Sequence, residues 1–447
     1  MKKLSLIILL IFVQRSIIYA QDLDNLQSQS KSYIYNINDS TKRLNKSILT
    51  DTLQLKKIAS TMNANVFMQW IKNFNQYNTP PEKNKWTLYY IKARDTLNAP
   101  FLVYVPKNYN PHKKNSLYVY LHGAASGRNQ FSIASQIPIS EAKVLKKALL
   151  ENAIIIYPYS RKDINWLFHQ DAFETIEKEI AFVKSLYNVD DNRIYVGGHS
   201  DGGRGAFWFA TNKPTNFAAA LGICYFPSAA FGNTHLRNLK NNMPFYGISG
   251  TKDFLFSIDM VEDIWKYARS NHANWNFYAI NGNHGLPFDY PDSTFFVYNE
   301  VFRNTRNPFP KKIEWETSDI KNGRNAWIEI KALDTSASIA DWHSQLNPIV
   351  KENRKQVSLP FIKSRSGAVI AKASGNELKI LTSRVKKLTL YISADMFDLS
   401  KQLQVKINNK PPLNFELKID KAILLDEFLK NKDRVFIVAN KIELTIE

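Results

Sequence analysis

The sequence predicts an α/β fold: a mostly parallel sheet with helices on both faces, followed by a β-rich, sandwich-like C-terminal region. Three observations carry this expectation. Between about residues 85 and 306, apolar strand-like runs alternate with amphipathic helical patterns. Within that stretch Gly198-His199-Ser200-Asp201-Gly202 follows a short apolar run and precedes a helical pattern. From about residue 307, beyond Pro308 and Pro310, the glycine-framed loops disappear and one strand-like run succeeds another.

The chain opens with the pattern of a secretory leader over residues 1–20. Lys2 and Lys3 precede an apolar run that ends before Arg15, and Ile18-Tyr19-Ala20 offers a cleavage site before Gln21. The run is short for a membrane span, so export to the periplasm or the outside is expected, with no stable span left once the leader is removed. Cys224 is the one cysteine of the 447 residues, which rules out an internal disulfide; it reads as a small buried apolar residue. The formal charge of +19 allows an acidic substrate or an anionic surface. It fits equally a lysine- and asparagine-rich composition with no binding role. The basic residues are dispersed, without the compact block expected of a nucleic-acid site, so no nucleic-acid partner is expected.

Residues 21–84 form an N-terminal helical extension. Leu53, Leu55, Ile58, Met62, Val66, Phe67, Trp70 and Ile71 recur at helical spacing over 51–74, and Thr79-Pro80-Pro81 stops the pattern. The expectation is that this helix packs on the central domain. Over 85–306 the expected strands are 86–93, 101–106, 116–122, 153–158, 193–196, 217–225, 244–249 and 275–280. The expected helices are 141–152, 171–187 with Asp171 as cap, one from about 204, 256–271 and 292–303. In residues 311–447 strands are expected at 327–330, 367–373, 377–382, 387–392, 404–407, 435–439 and 442–446.

The glycine-framed serine fits the G-x-S-x-G turn between strand and helix, where small neighbours let a strained backbone push a hydroxyl out of the sheet. A serine hydroxyl is a weak nucleophile at neutral pH. It needs an imidazole to take its proton and a carboxylate to hold that imidazole in one tautomer. The loops at the carboxyl ends of strands 244–249 and 275–280 supply Asp253 and His284. Asp259, Glu262 and Asp263 fall on a helical pattern, and His272 precedes its strand rather than following it. His199 should point away from Ser200 and give packing or polar support. For the developing oxyanion, backbone N–H groups are needed. Asp201, next to the nucleophile, and Ala124, in the small-residue loop 122–127, are the expected donors, with Gly123 the next choice.

His122-Gly123-Ala124, the stretch Asp191 to Gly203, Phe217-Ala218-Ala219, Gly250-Thr251-Lys252-Asp253 and Gly282-Asn283-His284-Gly285 resemble the α/β-hydrolase superfamily. They are most similar to its secreted bacterial esterase branch, the polyhydroxybutyrate-depolymerase and feruloyl-esterase-like group, which grades into prolyl-oligopeptidase-like hydrolases. The resemblance covers about residues 85–305. It implies catalysis by Ser200, Asp253 and His284, in the chain order the superfamily uses. It implies an acyl-enzyme formed on small, polysaccharide-linked or polyester esters, with no cofactor and no metal. Asp201 departs from the methionine, leucine or tyrosine that many relatives carry there. A serine peptidase of the prolyl-oligopeptidase kind would use the same triad, but the residues before Lys85 are too few for a propeller. A non-catalytic binding protein in a retained hydrolase shell is the third reading. The loop around Trp166 and Phe168 is either a pocket wall or packing. Trp315, Trp327 and Trp342 are either core residues or a polysaccharide platform. The natural substrate and the oligomeric state are not legible in the sequence.

Overall fold

The computed structural model describes residues 49, 51–78, 82–134, 136–229, 231–352 and 355–446. The leader expected over residues 1–20 lies outside the described residues. The helical pattern over 51–74 is two helices, α1 (Thr52–Thr61) and α2 (Ala64–Asn73). Asn63 divides them because its side chain accepts the Val66 N–H at 2.9 Å and starts a new helix. Their apolar faces close a cluster with Leu424, Phe428 and Ile437 from the far end of the chain. The extension thus packs chiefly on C-terminal residues, not on the central sheet alone.

Strands β1 (Lys85–Arg94) and β2 (Leu97–Val105) form an antiparallel hairpin with Tyr89 opposite Phe101. β3 (Asn115–Leu121), β4 (Ile154–Pro158), β5 (Val189–His199), β6 (Ala219–Ile223), β7 (Phe245–Gly250) and β8 (Trp275–Ile280) complete one sheet. Its order is β1-β2-β4-β3-β5-β6-β7-β8, parallel from β4 onward. The helices of this region are α3 (Ile139–Leu150), α4 (Gln170–Leu186), α5 (Asp201–Asn212), α6 (Ile258–Ser270), the short α7 (Leu286–Asp289) and α8 (Phe295–Arg303).

Successive residues of a strand face opposite sides of the sheet, and β3 illustrates the result. Val119 joins a core with Phe173 and Ile180 of α4, Phe207 of α5 and Ile264 of α6. Tyr118 and Tyr120 join the opposite core with Val144 of α3 and Tyr298 of α8. Apolar strands covered on both faces are what a parallel sheet requires. Asp171 does not cap α4 as expected; it lies in the first turn and pairs with Arg94.

The C-terminal part holds two packed sheets. One has the strand order Leu413–Phe415, Leu403–Ile407, Glu377–Ser383, Gly367–Ser374, Lys312–Thr317; the other has Arg324–Asn325, Ile328–Leu333, Val385–Ile392, Asn440–Thr445. Their inner faces meet in one core that includes Trp315, Trp327, Ile380, Leu390 and Val405. Trp315 and Trp327 are fully buried, each donating its indole N–H to a backbone carbonyl, so both are core residues rather than a binding platform.

Several C-terminal elements differ from expectation, among them the strands Lys312–Thr317 and Leu413–Phe415. Residues 435–439 are not a ladder strand, because the Asp433 carboxylate accepts the N–H groups of Val435 and Phe436 and turns the chain. Helix α9 (Lys421–Asn431), capped by Asp420, was not expected. The hairpin Ile349–Glu352 with Lys355–Ser358 was also missed; it reaches back to α6, where Lys351 N–H donates to Asp263.

Buried polar pairs tie the parts together. Arg434 donates to Asp191 at 3.2 Å, to the Phe74 carbonyl at 3.1 Å and to Asn188 at 3.0 Å, so one guanidinium joins its own segment to two distant ones. Lys184 lies 2.6 Å from the other oxygen of Asp191. Arg306 and Asp433 form a second buried pair. At a third junction Glu316 faces His235, His343 and Arg237. Burial alone would raise the Glu316 carboxyl, but its contacts with the two histidines outweigh it and hold the group well below the usual carboxylate range. No helix among the described residues is long and apolar enough to cross a membrane.

Candidate active site

The turn at Ser200 is built by close approach. Ser200 has φ 56 and ψ −118, a conformation a non-glycine residue adopts only when its surroundings enforce it. A Cβ at Gly198 or Gly202 would run into the Leu121 carbonyl, so only glycine lets β5 and α5 lie this close to β3. Helix α5 starts directly at Asp201 rather than near Arg204, where the sequence placed it.

Two loops at the same sheet edge bring their side chains to this hydroxyl. His284 follows β8, and its Nε2 is 3.0 Å from Ser200 Oγ. Asp253 follows β7, and its Oδ2 is 2.9 Å from His284 Nδ1. An ionised carboxylate has no proton to give, so Nδ1 carries the hydrogen and Nε2 is left as the acceptor for the serine hydroxyl. Asp253 is itself fixed: its Oδ1 accepts the N–H groups of Leu255 and Phe256 at 2.9 and 3.1 Å. His272 is exposed at the opposite end of β8, and Glu262 pairs with Lys266 on the surface of α6.

His199 points away from the hydroxyl. Its Nε2–H donates to the His284 carbonyl at 2.8 Å, and its ring lies 4.8 Å from the His284 ring. Burial pushes its pKa down to about 4, so it is a neutral donor that holds the His284 loop. Cys224 is buried below the same loop, and burial raises its thiol to about 12, which fits a packing role and not a nucleophile.

The loop 122–127 runs beside the elbow. Ala124 has φ 50, an unusual backbone for alanine. As the first residue of α5, Asp201 has no partner for its N–H within the helix. Three contacts hold the loop. Trp166 donates its indole N–H to the His122 carbonyl at 3.2 Å, and Ser160 donates to the Ala125 carbonyl at 2.6 Å. The Asp201 carboxylate accepts the Ala125 N–H at 2.8 Å. Trp166 is therefore packing beneath the loop, while Phe168 is half exposed. The sequence pointed to the Asp201 backbone; the bond from its side chain to the opposite loop had no signal in the chain.

Arg204, one turn into α5, is only partly exposed and reaches Ser228 through long contacts of 3.4 and 3.5 Å. Burial lowers its pKa, and the Asp201 charge opposes that effect. Among the described residues no group of three or more His, Cys, Asp or Glu side chains is arranged to hold a metal ion.

Residues 161–303 match the model of the Dienelactone hydrolase family. A search of curated proteins gave no match. Among solved structures, the chain is similar to a thermostable esterase at 20% identity and TM-score 0.41, over 50% of this chain and 64% of that one. Esterase 2 of Thermogutta terrifontis gives 15% identity and TM-score 0.40, over 50% of this chain and 96% of that one. A putative dipeptidyl aminopeptidase IV from Bacteroides ovatus gives 16% and 0.41, over 50% of this chain and 37% of that one. The chain thus spans a little under two thirds of the first esterase's length and about a third of the peptidase's. Likenesses at this level do not bear on substrate. The sheet order and the family match define the class of the central region, which has the α/β-hydrolase fold.

Proposed function

We propose that the chain is an exported serine esterase that uses Ser200 as nucleophile, His284 as general base and acid, and Asp253 to orient His284. The observation that carries this reading is the continuous relay from Ser200 Oγ to His284 Nε2, 3.0 Å, and from His284 Nδ1 to Asp253 Oδ2, 2.9 Å. Ser200 Oγ attacks the ester carbonyl while its proton passes to Nε2. The carbonyl oxygen becomes an oxyanion, and the N–H groups of Ala124 and Asp201 receive it. Collapse breaks the bond to the alcohol, and Nε2 returns the proton to the leaving oxygen. Water then repeats the sequence on the acyl-enzyme, and the acid departs. The buried Asp253 holds His284 in place and stabilises the imidazolium formed at each step.

Export rests on the leader pattern in residues 1–20. Residues 85–306 are read as the catalytic domain and residues 311–447 as an accessory β domain. The test is Ser200→Ala. It should abolish hydrolysis of p-nitrophenyl acetate and labelling by a fluorophosphonate while the thermal transition is kept. Turnover retained at the wild-type level would remove Ser200 from the mechanism.

A further inference from the structure

The imidazole of His284 has two kinds of ring neighbour. Buried His199 lies 4.8 Å from it. An aromatic group from the Asp253 loop also flanks it: the Phe256 ring is 5.4 Å from the imidazole and the Phe254 ring 6.3 Å, both edge-on. Phe226, from the loop after β6, packs behind at 6.2 Å from Phe256. Phe254 is 79% exposed and the adjoining Leu255 is 55% exposed. Two neighbouring large apolar side chains in water cost free energy unless something covers them in use. The loop that carries them is held at its backbone, because Asp253 Oδ1 accepts the N–H groups of Leu255 and Phe256.

Reaction geometry indicates what covers them. The proton on His284 Nε2 must be delivered to the oxygen of the departing alcohol, which has to come within about 3 Å of that nitrogen. The alcohol carbon skeleton therefore runs from the imidazole edge onto whatever flanks it. The acyl half stays attached to Ser200, beside the loop of Ala124.

We propose that Phe254 and Phe256, backed by Phe226, form an apolar shelf for the alcohol half of the substrate. The enzyme then favours esters of aryl-bearing or bulky apolar alcohols. The inference rests on the esterase reading of the same triad. The chemistry balances as in that reading: the Ser200 Oγ–acyl bond forms, the acyl–alcohol bond breaks, and the serine proton leaves on the alcohol.

The test compares kcat/KM for ethyl acetate and phenethyl acetate, whose alcohols differ little in leaving ability and much in apolar surface. The wild-type enzyme should prefer phenethyl acetate roughly tenfold, the discrimination one modest apolar contact supplies. Phe254→Ala should cut that ratio severalfold, and Phe254→Leu should give an intermediate ratio. A wild-type ratio near unity, or a ratio unchanged in Phe254→Ala, overturns the shelf and leaves the esterase reading standing. Absence of Ser200-dependent hydrolysis of either acetate overturns both.

Discussion

Asp201 gives the sharpest test of how the site is held together. Its carboxylate accepts the Ala125 N–H at 2.8 Å, one residue beyond the proposed oxyanion donor Ala124. Asp201→Ala removes that acceptor. A hydrogen bond to a charged acceptor contributes about 1.5–3 kcal/mol. If all of it serves to place the Ala124 N–H, kcat falls by roughly ten- to a hundredfold. Complete loss of one oxyanion donor would cost about a hundred- to a thousandfold. The smaller figure is expected, because Trp166 and Ser160 still hold the loop. KM for p-nitrophenyl acetate should change little, since the bond matters most when negative charge develops on the carbonyl oxygen. Asp201→Asn keeps an oxygen acceptor and should restore most of kcat, which a merely structural role would not require. The assay is steady-state kinetics on both variants, with thermal melts to verify folding. If Asp201→Ala turns over as fast as wild type or faster, the carboxylate does not position the loop and its charge only opposes the oxyanion.

Two further outcomes concern stability. Burial pushes the Glu141 carboxyl up to about 7, against the Tyr120 hydroxyl that donates to it at 2.6 Å and favours ionisation. Because the folded value lies above the unfolded one, this group's contribution to stability is fully present below about pH 4.5 and is lost as pH rises through about 7, a change on the order of 3 kcal/mol. Glu141→Gln should flatten the change in melting temperature between pH 5 and pH 8 measured by calorimetry; an undiminished slope would assign it to other groups. Arg434→Met leaves the carboxylate of Asp191 buried with Lys184 as its remaining ion-pair partner among the described residues. It should destabilise the junction by about 3–5 kcal/mol, read as a lower urea midpoint. A midpoint unchanged from wild type would show that the guanidinium contributes no net stability.

Much of the central sheet was legible because a parallel sheet writes itself into the sequence as apolar runs separated by amphipathic helices. Trp275–Ile280 coincides with its expectation to the residue, and the other strands of that sheet differ mainly at their ends. The C-terminal part was less legible. The strand-like run over 435–439 has the composition of a strand, but Asp433 takes up two of its N–H groups. The sequence of α9 carries a cap at Asp420 and apolar spacing at Leu424 and Phe428, yet it sits among strand-like runs that masked it. The two buried histidines at Glu316 had no local motif at all, because their partner lies on a strand far along the chain.

By itself the sequence determined the strained, glycine-framed turn at Ser200, since backbone sterics act between neighbours in the chain. It also put Asp253 and His284 at strand ends, since hydrophobic periodicity is local. Tertiary structure alone decided the distances among those three groups and the bond from Asp201 to Ala125. It alone set the Phe254–Phe256 loop beside the imidazole and joined the N-terminal helices to α9. These are contacts between segments up to hundreds of residues apart, and only packing of the whole chain fixes them.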